Sequence, residues 1–82
     1  MKNYISVYSL NQIAYLMLLG FRPNMVSDNN KLWYATFDIT NDIKKAIGDW
    51  RDENLVVPIH QYLNKYRELR NEIDKKRGGR NE

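Results

Sequence analysis

Apolar residues at helical spacing mark the first element of the chain. Four of them recur three or four positions apart near the N-terminus: Leu10, Ile13, Ala14 and Met17. This spacing predicts a helix. Ser9 precedes it as a typical N-cap, and Gly20 follows it where a left-handed C-terminal residue is expected. Because the second half of this helix is apolar nearly all round, we expect it to be central to the core.

A hairpin pattern follows the first helix. Residues 21–26 form a short candidate strand and residues 31–37 a longer one, with turn-forming residues 27–30 between them. The longer strand alternates, so that two sets of side chains lie on opposite faces: Trp33, Ala35 and Phe37, against Leu32, Tyr34 and Thr36. Since Pro23 has no N–H group, the shorter strand is expected to be an edge or to begin after it.

Two more helices are predicted in the second half of the chain. Thr40 is the expected N-cap of the second helix, with Asp42 in its first turn. Its apolar stripe consists of Ile43, Ala46, Ile47 and Trp50. Pro58 fits the first turn of the third helix. The apolar seam of that helix consists of Ile59, Tyr62, Tyr66, Leu69 and Ile73. We expect the seam to pack on the first helix and the hairpin.

The predicted fold is therefore a single small α+β domain with the order α-β-β-α-α. A two-stranded antiparallel hairpin packs on the helices. With 82 residues, the chain is long enough for one core. Residues 1–76 are assigned to this domain, and residues 77–82 are predicted to be a basic flexible tail.

Few residues are suited to catalysis or metal binding. The chain has no cysteine and a single histidine, His60, which excludes thiolate and His-rich metal sites. The three serines have structural roles as lead-in, cap and turn residue: Ser6, Ser9 and Ser27. An acidic cluster lacks the spaced ligands and turn glycine of a calcium loop: Asp49, Asp52 and Glu53. We therefore predict a non-enzymatic protein without catalytic residues, cofactor or metal.

The apolar runs are short. The longest extends from Ile13 to Leu19, which is seven residues, whereas a membrane-spanning helix needs about 20. The N-terminal residues lack the uninterrupted apolar segment and cleavage site of a signal peptide. The expectation from the sequence is a cytoplasmic protein with no membrane association.

The positive charge lies at the C-terminal end. Residues 1–64 carry six Lys/Arg and six Asp/Glu, whereas residues 65–82 carry seven and four, which gives the net +3. A nucleic-acid-binding alternative would use the basic end of the last helix and the tail: Lys75, Lys76, Arg77 and Arg80. Three acidic residues interrupt this basic stretch: Glu68, Glu72 and Asp74. A solvated helix end with a solubilising tail explains the same charges.

Binding to another protein is the preferred interpretation. The open edges of the hairpin could receive a strand from a partner or from a second copy of the chain, so a homodimer is an alternative. The candidate partner-binding residues are Trp33, Tyr34, Tyr66, Arg70, Ile73 and Arg77. We expect the last helix to overhang the small body beyond Leu69 and to expose Ile73.

Residues 8–21 (Tyr-Ser-Leu-Asn-Gln-Ile-Ala-Tyr-Leu-Met-Leu-Leu-Gly-Phe) resemble the opening of a family of short, uncharacterised proteins of Gram-positive bacteria and their phages and prophages, which carry a domain of unknown function. Residues 69–72 (Leu-Arg-Asn-Glu) are similar to the closing helix of that family, and the resemblance covers residues 6 to 74. The shared motifs are structural, so the resemblance implies no catalytic residue.

The resemblance also implies a biological role in the host cell of a phage. Small phage proteins without enzymatic residues often bind a host protein, and inhibitors of CRISPR nucleases and of other defences are examples. The same origin is compatible with a nucleotide-sequestering sponge, for which Arg22, Lys31 and Tyr34 are the candidate contacts. Such an analogy between families sets an expectation about function and does not establish it.

Overall fold

The computed structural model describes residues 3–27 and 32–76. Along the chain the elements are β1 (Tyr4–Val7), α1 (Leu10–Leu18), β2 (Asn24–Ser27), β3 (Trp33–Asp38), α2 (Asn41–Trp50) and α3 (Ile59–Lys76). The order confirms an α+β fold and adds one strand at the N-terminus. Most of the predicted turn at 27–30 and the whole predicted tail at 77–82 lie outside the described residues.

The sheet differs from the predicted two-stranded hairpin. It has three antiparallel strands in the order β1-β3-β2. β1 pairs with β3 so that Val7 lies opposite Ala35, and β2 pairs along the other side so that Met25 lies opposite the same residue. β3 is therefore the central strand and not an edge. The predicted antiparallel pairing of the two hairpin strands is confirmed as β2–β3. The strand count was wrong because β1, which α1 and β2 separate from β3 along the chain, was not predicted.

The sheet has one buried face and one open face. The inner face carries odd-numbered residues, and four of them are buried in the core: Val7, Met25, Ala35 and Phe37. The outer face carries the even-numbered residues of Tyr4 to Tyr8, Asn24 to Val26 and Leu32 to Asp38. The alternation predicted for β3 is confirmed. β2 is an edge strand that begins directly after Pro23, also as predicted.

α1 is the centre of the core, as its all-round apolar pattern predicts. It packs on α3 and also contacts α2 and β1. Four consecutive residues of α1 are buried: Ile13, Ala14, Tyr15 and Leu16. The Ser9 hydroxyl accepts a hydrogen bond from the Gln12 N–H at 3.3 Å, which satisfies one free donor of the first turn. Gly20 ends the segment with a φ of 100°, a left-handed conformation that glycine adopts without strain.

α2 begins at the predicted cap. The Thr40 hydroxyl accepts a hydrogen bond from the Ile43 N–H at 3.1 Å. At the other end of α2, the Trp50 ring lies against the Tyr15 ring, with centroids 5.2 Å apart and planes at 39°. Burial raises the pKa of Tyr15, and the nearby Asp49 carboxylate raises it further, while Lys45 acts in the opposite direction.

α3 follows Pro58, whose carbonyl accepts a hydrogen bond from the Tyr62 N–H at 3.0 Å. The Tyr62 hydroxyl donates towards Asn11 of α1, 3.1 Å from the side-chain oxygen and 3.3 Å from the backbone oxygen. Burial, and secondly the neighbouring Tyr66, raise the pKa of Tyr62. These contacts hold the first half of α3 on α1.

The second half of α3 does not overhang the body, so the expectation of an exposed Ile73 was wrong. Ile73 is 5 % exposed and Leu69 is 1 % exposed, because both side chains pack in the core around α1. The exposed apolar residues of α3 lie at its other end, where Ile59 is 53 % and Leu63 is 44 % exposed.

Candidate interaction surfaces

Two tyrosines stack on the outer face of the sheet. The rings of Tyr8 and Tyr34 have centroids 4.7 Å apart and planes at 23°. The β1–β3 register brings them together, because Tyr8 directly follows the pair Val7–Ala35 and Tyr34 directly precedes it. Stacking at this distance is favourable for aromatic rings. The two rings therefore form one continuous aromatic surface on an otherwise open sheet.

The outer face remains accessible around this stack. Tyr8 is 55 % and Tyr4 is 56 % exposed, and Leu32 is 51 % exposed. Thr36, on the central strand β3, donates a hydrogen bond from its hydroxyl to the Asn24 carbonyl of β2 at 3.5 Å. Ring faces and edges, phenolic hydroxyls and short aliphatic groups therefore make up most of the surface.

Charge is sparse on the outer face. Among its described residues, Asp38 is the single charged side chain. Phosphate recognition depends on clustered Lys and Arg side chains. Protein interfaces, by contrast, are poor in charge at their centre and rich in tyrosine. The described part of the outer face therefore has the composition of a protein interface and carries no cluster of basic side chains.

The predicted partner-binding residues do not form one surface. Tyr34 lies on the outer face, whereas Trp33 is on the inner face and packs partly buried against the core. Tyr66 also packs against the core, and Ile73 is buried in it. Arg70 is exposed on α3, and Arg77 lies outside the described residues. Among the described members of the set, only Tyr34 lies on the open face, so the expectation that Trp33 and Ile73 contact a partner does not fit their packing in or against the core.

The described part of the predicted basic surface carries both positive and negative side chains. Lys75 and Lys76 are exposed in the last turn of α3, while Arg77 and Arg80 lie outside the described residues. The shallow groove along this helix is lined by Glu68, Asn71, Glu72, Lys75 and Lys76. Lys65 pairs with Glu68 at 3.6 Å. Acidic side chains thus accompany the basic ones along the described helix.

The two described residues of the sponge alternative lie in different places. Arg22 lines a cleft that includes the Asp38 and Asp42 carboxylates. Two acidic groups beside one guanidinium do not favour the binding of a nucleotide phosphate. Tyr34 belongs to the stack on the outer face, and Lys31 lies outside the described residues.

His60 is exposed in the first turn of α3, as expected of a surface histidine. Within residues 3–27 and 32–76, no group of three or more His, Asp or Glu side chains is arranged to hold a metal ion. No helix in the same part of the chain is both long and apolar enough to cross a membrane.

Sequence reasoning missed the contribution of the N-terminal segment to the outer face. No strand was predicted for residues 4–8 (Tyr-Ile-Ser-Val-Tyr), yet they alternate and consist mainly of β-favouring residues. That alternation was the available signal. A second missed cluster lies around the start of α3, where Val56 is 88 % exposed next to Ile59 and Leu63 in sequence.

Comparison with known protein families places the chain. A family model described as a domain of unknown function, DUF5659, matches residues 2–75. The chain therefore belongs to this family, and the match covers every described strand and nearly all of α3. No curated protein and no solved structure matched the chain.

Proposed function

We propose that this protein is a non-enzymatic interaction module that binds a protein partner through the outer face of its sheet. The observation that carries the proposal is the Tyr8–Tyr34 stack, flanked by the exposed Tyr4 and Leu32 on a face with little charge. Tyrosine supplies a large contact area at a small cost in side-chain entropy and dominates many binding surfaces.

The proposed setting is the cytoplasm of a bacterial cell, with the gene carried by a phage or another mobile element and with a host protein as the partner. A defence protein such as a CRISPR nuclease is one target of this kind. Support for the setting comes from the resemblance to short phage and prophage proteins. Support for the mode of binding comes from the tyrosines on the outer face.

The test compares variants of the tagged protein in capture from a host lysate, with half of each lysate treated with nuclease. The double variant Tyr4→Ser/Tyr8→Ser changes two exposed rings of the outer face. Ile59→Ser is the matched control, because it changes an exposed apolar residue of α3. Circular dichroism establishes that each variant is folded. The captured protein is then purified, and its affinity for each variant is measured by calorimetry.

The expected result is one stoichiometric protein that survives nuclease, binds the Ile59→Ser control normally and loses at least about tenfold in affinity for the double variant. Equal binding by wild type and double variant would remove the outer face from the proposal. Retention that collapses on nuclease treatment would favour nucleic-acid binding through the basic end of α3 instead.

A further inference from the structure

The β1 strand leaves one edge of the sheet open. The Ile39 N–H donates a hydrogen bond to the Asn3 carbonyl at 3.1 Å, so residues 3 and 39 form a hydrogen-bonded pair of the antiparallel ladder. Hydrogen-bonded pairs alternate with non-hydrogen-bonded pairs, so Ile5 and Val7 also exchange hydrogen bonds with β3. The backbone N–H and C=O groups of Tyr4 and Ser6 therefore point away from the sheet. Within residues 3–27 and 32–76 these groups have no hydrogen-bond partner.

The two edges of the sheet are protected differently. At the β2 edge, the backbone N–H and C=O groups of Met25 point away from β3 towards the open edge. Pro23 is two residues earlier, so the N–H group that proline lacks would point towards the same open edge. Natural sheets block edges with proline or with charged residues. The β1 edge has neither, because residues 3–8 (Asn-Tyr-Ile-Ser-Val-Tyr) contain no proline and no charge.

The sequence of this edge is self-complementary. Residues 4–8 read Tyr-Ile-Ser-Val-Tyr, with tyrosines at both ends, β-branched apolar residues inside them and Ser6 at the centre. An antiparallel pair of two such strands about Ser6 sets tyrosine opposite tyrosine on the outer face and Ile5 opposite valine on the inner face. Symmetric dimers require this kind of self-complementary surface.

We infer that the occupant of this edge is a second copy of the chain, paired antiparallel through β1 with Ser6 opposite Ser6 on the two-fold axis. This inference goes beyond the proposed partner and does not depend on it. The two sheets join into one of six strands. Tyr8, already stacked on Tyr34, then lies beside Tyr4 of the second copy, which doubles the width of the tyrosine surface. The half-buried Ile5 gains a valine neighbour on the helix side.

The size of the contact sets the strength of the dimer. The strand offers only about five residues, or roughly 17 Å of edge, and so buries less than a standard interface. The dimer is therefore expected to dissociate in the range of about 10 μM to 1 mM. The measured mass in solution should rise across this range from the 9.8 kDa of the monomer towards twice that value.

The test is a charge swap on the symmetry axis, followed by sedimentation equilibrium of the purified protein. Ser6→Lys and Ser6→Glu each place two like charges opposite one another, and each alone should weaken the dimer by about tenfold or more. An equimolar mixture of the two variants places opposite charges together and should restore association. Gln61→Lys, at an exposed position on α3, is the matched control and should keep the wild-type mass.

The outcomes separate clearly. Loss of the dimer in both single variants and its recovery in the mixture support pairing about Ser6. Wild-type protein that stays monomeric at about 1 mM overturns the inference. A dimer that persists in both Ser6 variants, with no gain in the mixture, also overturns it. The measurement contains no host protein, so its failure leaves the proposed partner binding to its own test.

Discussion

Tyr8 and Tyr34 stack across two strands of the sheet with ring centroids 4.7 Å apart. One ring comes from the exit of β1 and the other from the central strand β3, so the pair depends on strand pairing between segments that α1 and β2 separate along the chain. The stack joins the N-terminal segment to Tyr34, the only outer-face residue among the predicted partner contacts that the structure describes. It is the most specific feature of the proposed binding surface.

The stack should be measurable as an energetic coupling between its two residues. In a double-mutant cycle of Tyr8→Ala and Tyr34→Ala, we expect an interaction free energy of about 0.5–1.5 kcal/mol, because the second substitution removes a ring whose partner is already gone. Urea denaturation of the four proteins gives the values. The same cycle with Tyr4 in place of Tyr8 is the control and should be additive. A Tyr8–Tyr34 cycle that is additive within about 0.3 kcal/mol would contradict the coupling.

The same truncation should destabilise the protein much more at one end of α3 than at the other. Ile73→Ala should lower the free energy of unfolding by about 2–5 kcal/mol, because the side chain is buried and its removal leaves a cavity. Ile59→Ala should change it by about 0.5 kcal/mol or less, because Ile59 is more than half exposed. Chemical denaturation measures both variants. Equal effects of the two substitutions would contradict the burial of Ile73.

Two glycines should give opposite signs when replaced by alanine. Gly48 lies inside α2, and an added Cβ would meet nothing within 4 Å, so Gly48→Ala should stabilise the protein by about 0.5–1 kcal/mol. Gly20 has the same free space but a φ of 100°, so Gly20→Ala should destabilise it by about 1–2 kcal/mol. Thermal unfolding of both variants compares the signs. A stabilised Gly20→Ala variant would show that residue 20 does not need the left-handed conformation.

Tyr15 should make stability depend on alkaline pH. Its pKa is raised above 10.0 in the folded protein, first by burial and then by Asp49, so the folded state holds the phenol proton more tightly than the unfolded state. This contribution is fully present below pH 10.0 and is lost as the pH rises through the raised pKa. The free energy of unfolding should therefore fall less steeply above pH 10.0 in Tyr15→Phe than in wild type. An equally steep fall in both proteins would contradict the assignment.

Much of the local structure follows from the sequence by itself. Ser9 and Thr40 are recognisable N-caps because a hydroxyl at that position can accept from a free backbone N–H, and both do so. Gly20 marks the end of the first helix because few other residues tolerate its φ. The two faces of β3 follow from the strict period of two along a strand. Each of these features depends on neighbours within a few residues, which the sequence shows directly.

The candidate surface could be predicted only in part. Tyr34 is recognisable as an outward residue of β3, but the sequence does not show which residues flank it. The tertiary structure decides that Tyr8 is its neighbour, because the antiparallel register aligns β1 with β3 across the whole of α1. The burial of Ile73 has a similar origin. A helical seam shows which side of α3 is apolar, whereas the packing on α1 determines how far along the helix the core extends.

The sequence by itself determined the helices, their caps, the alternation of β3 and the absence of thiol chemistry, because all of these depend on residue type and local spacing. Only the tertiary structure decided that β1 is a strand, that β3 is central and that tyrosines from both lie on one open face. The physical reason is that strand pairing and core burial are interactions between distant segments. Residues 4–8 (Tyr-Ile-Ser-Val-Tyr) favour an extended strand by their composition, but their pairing with β3 is a contact across α1 and β2 that local spacing does not show.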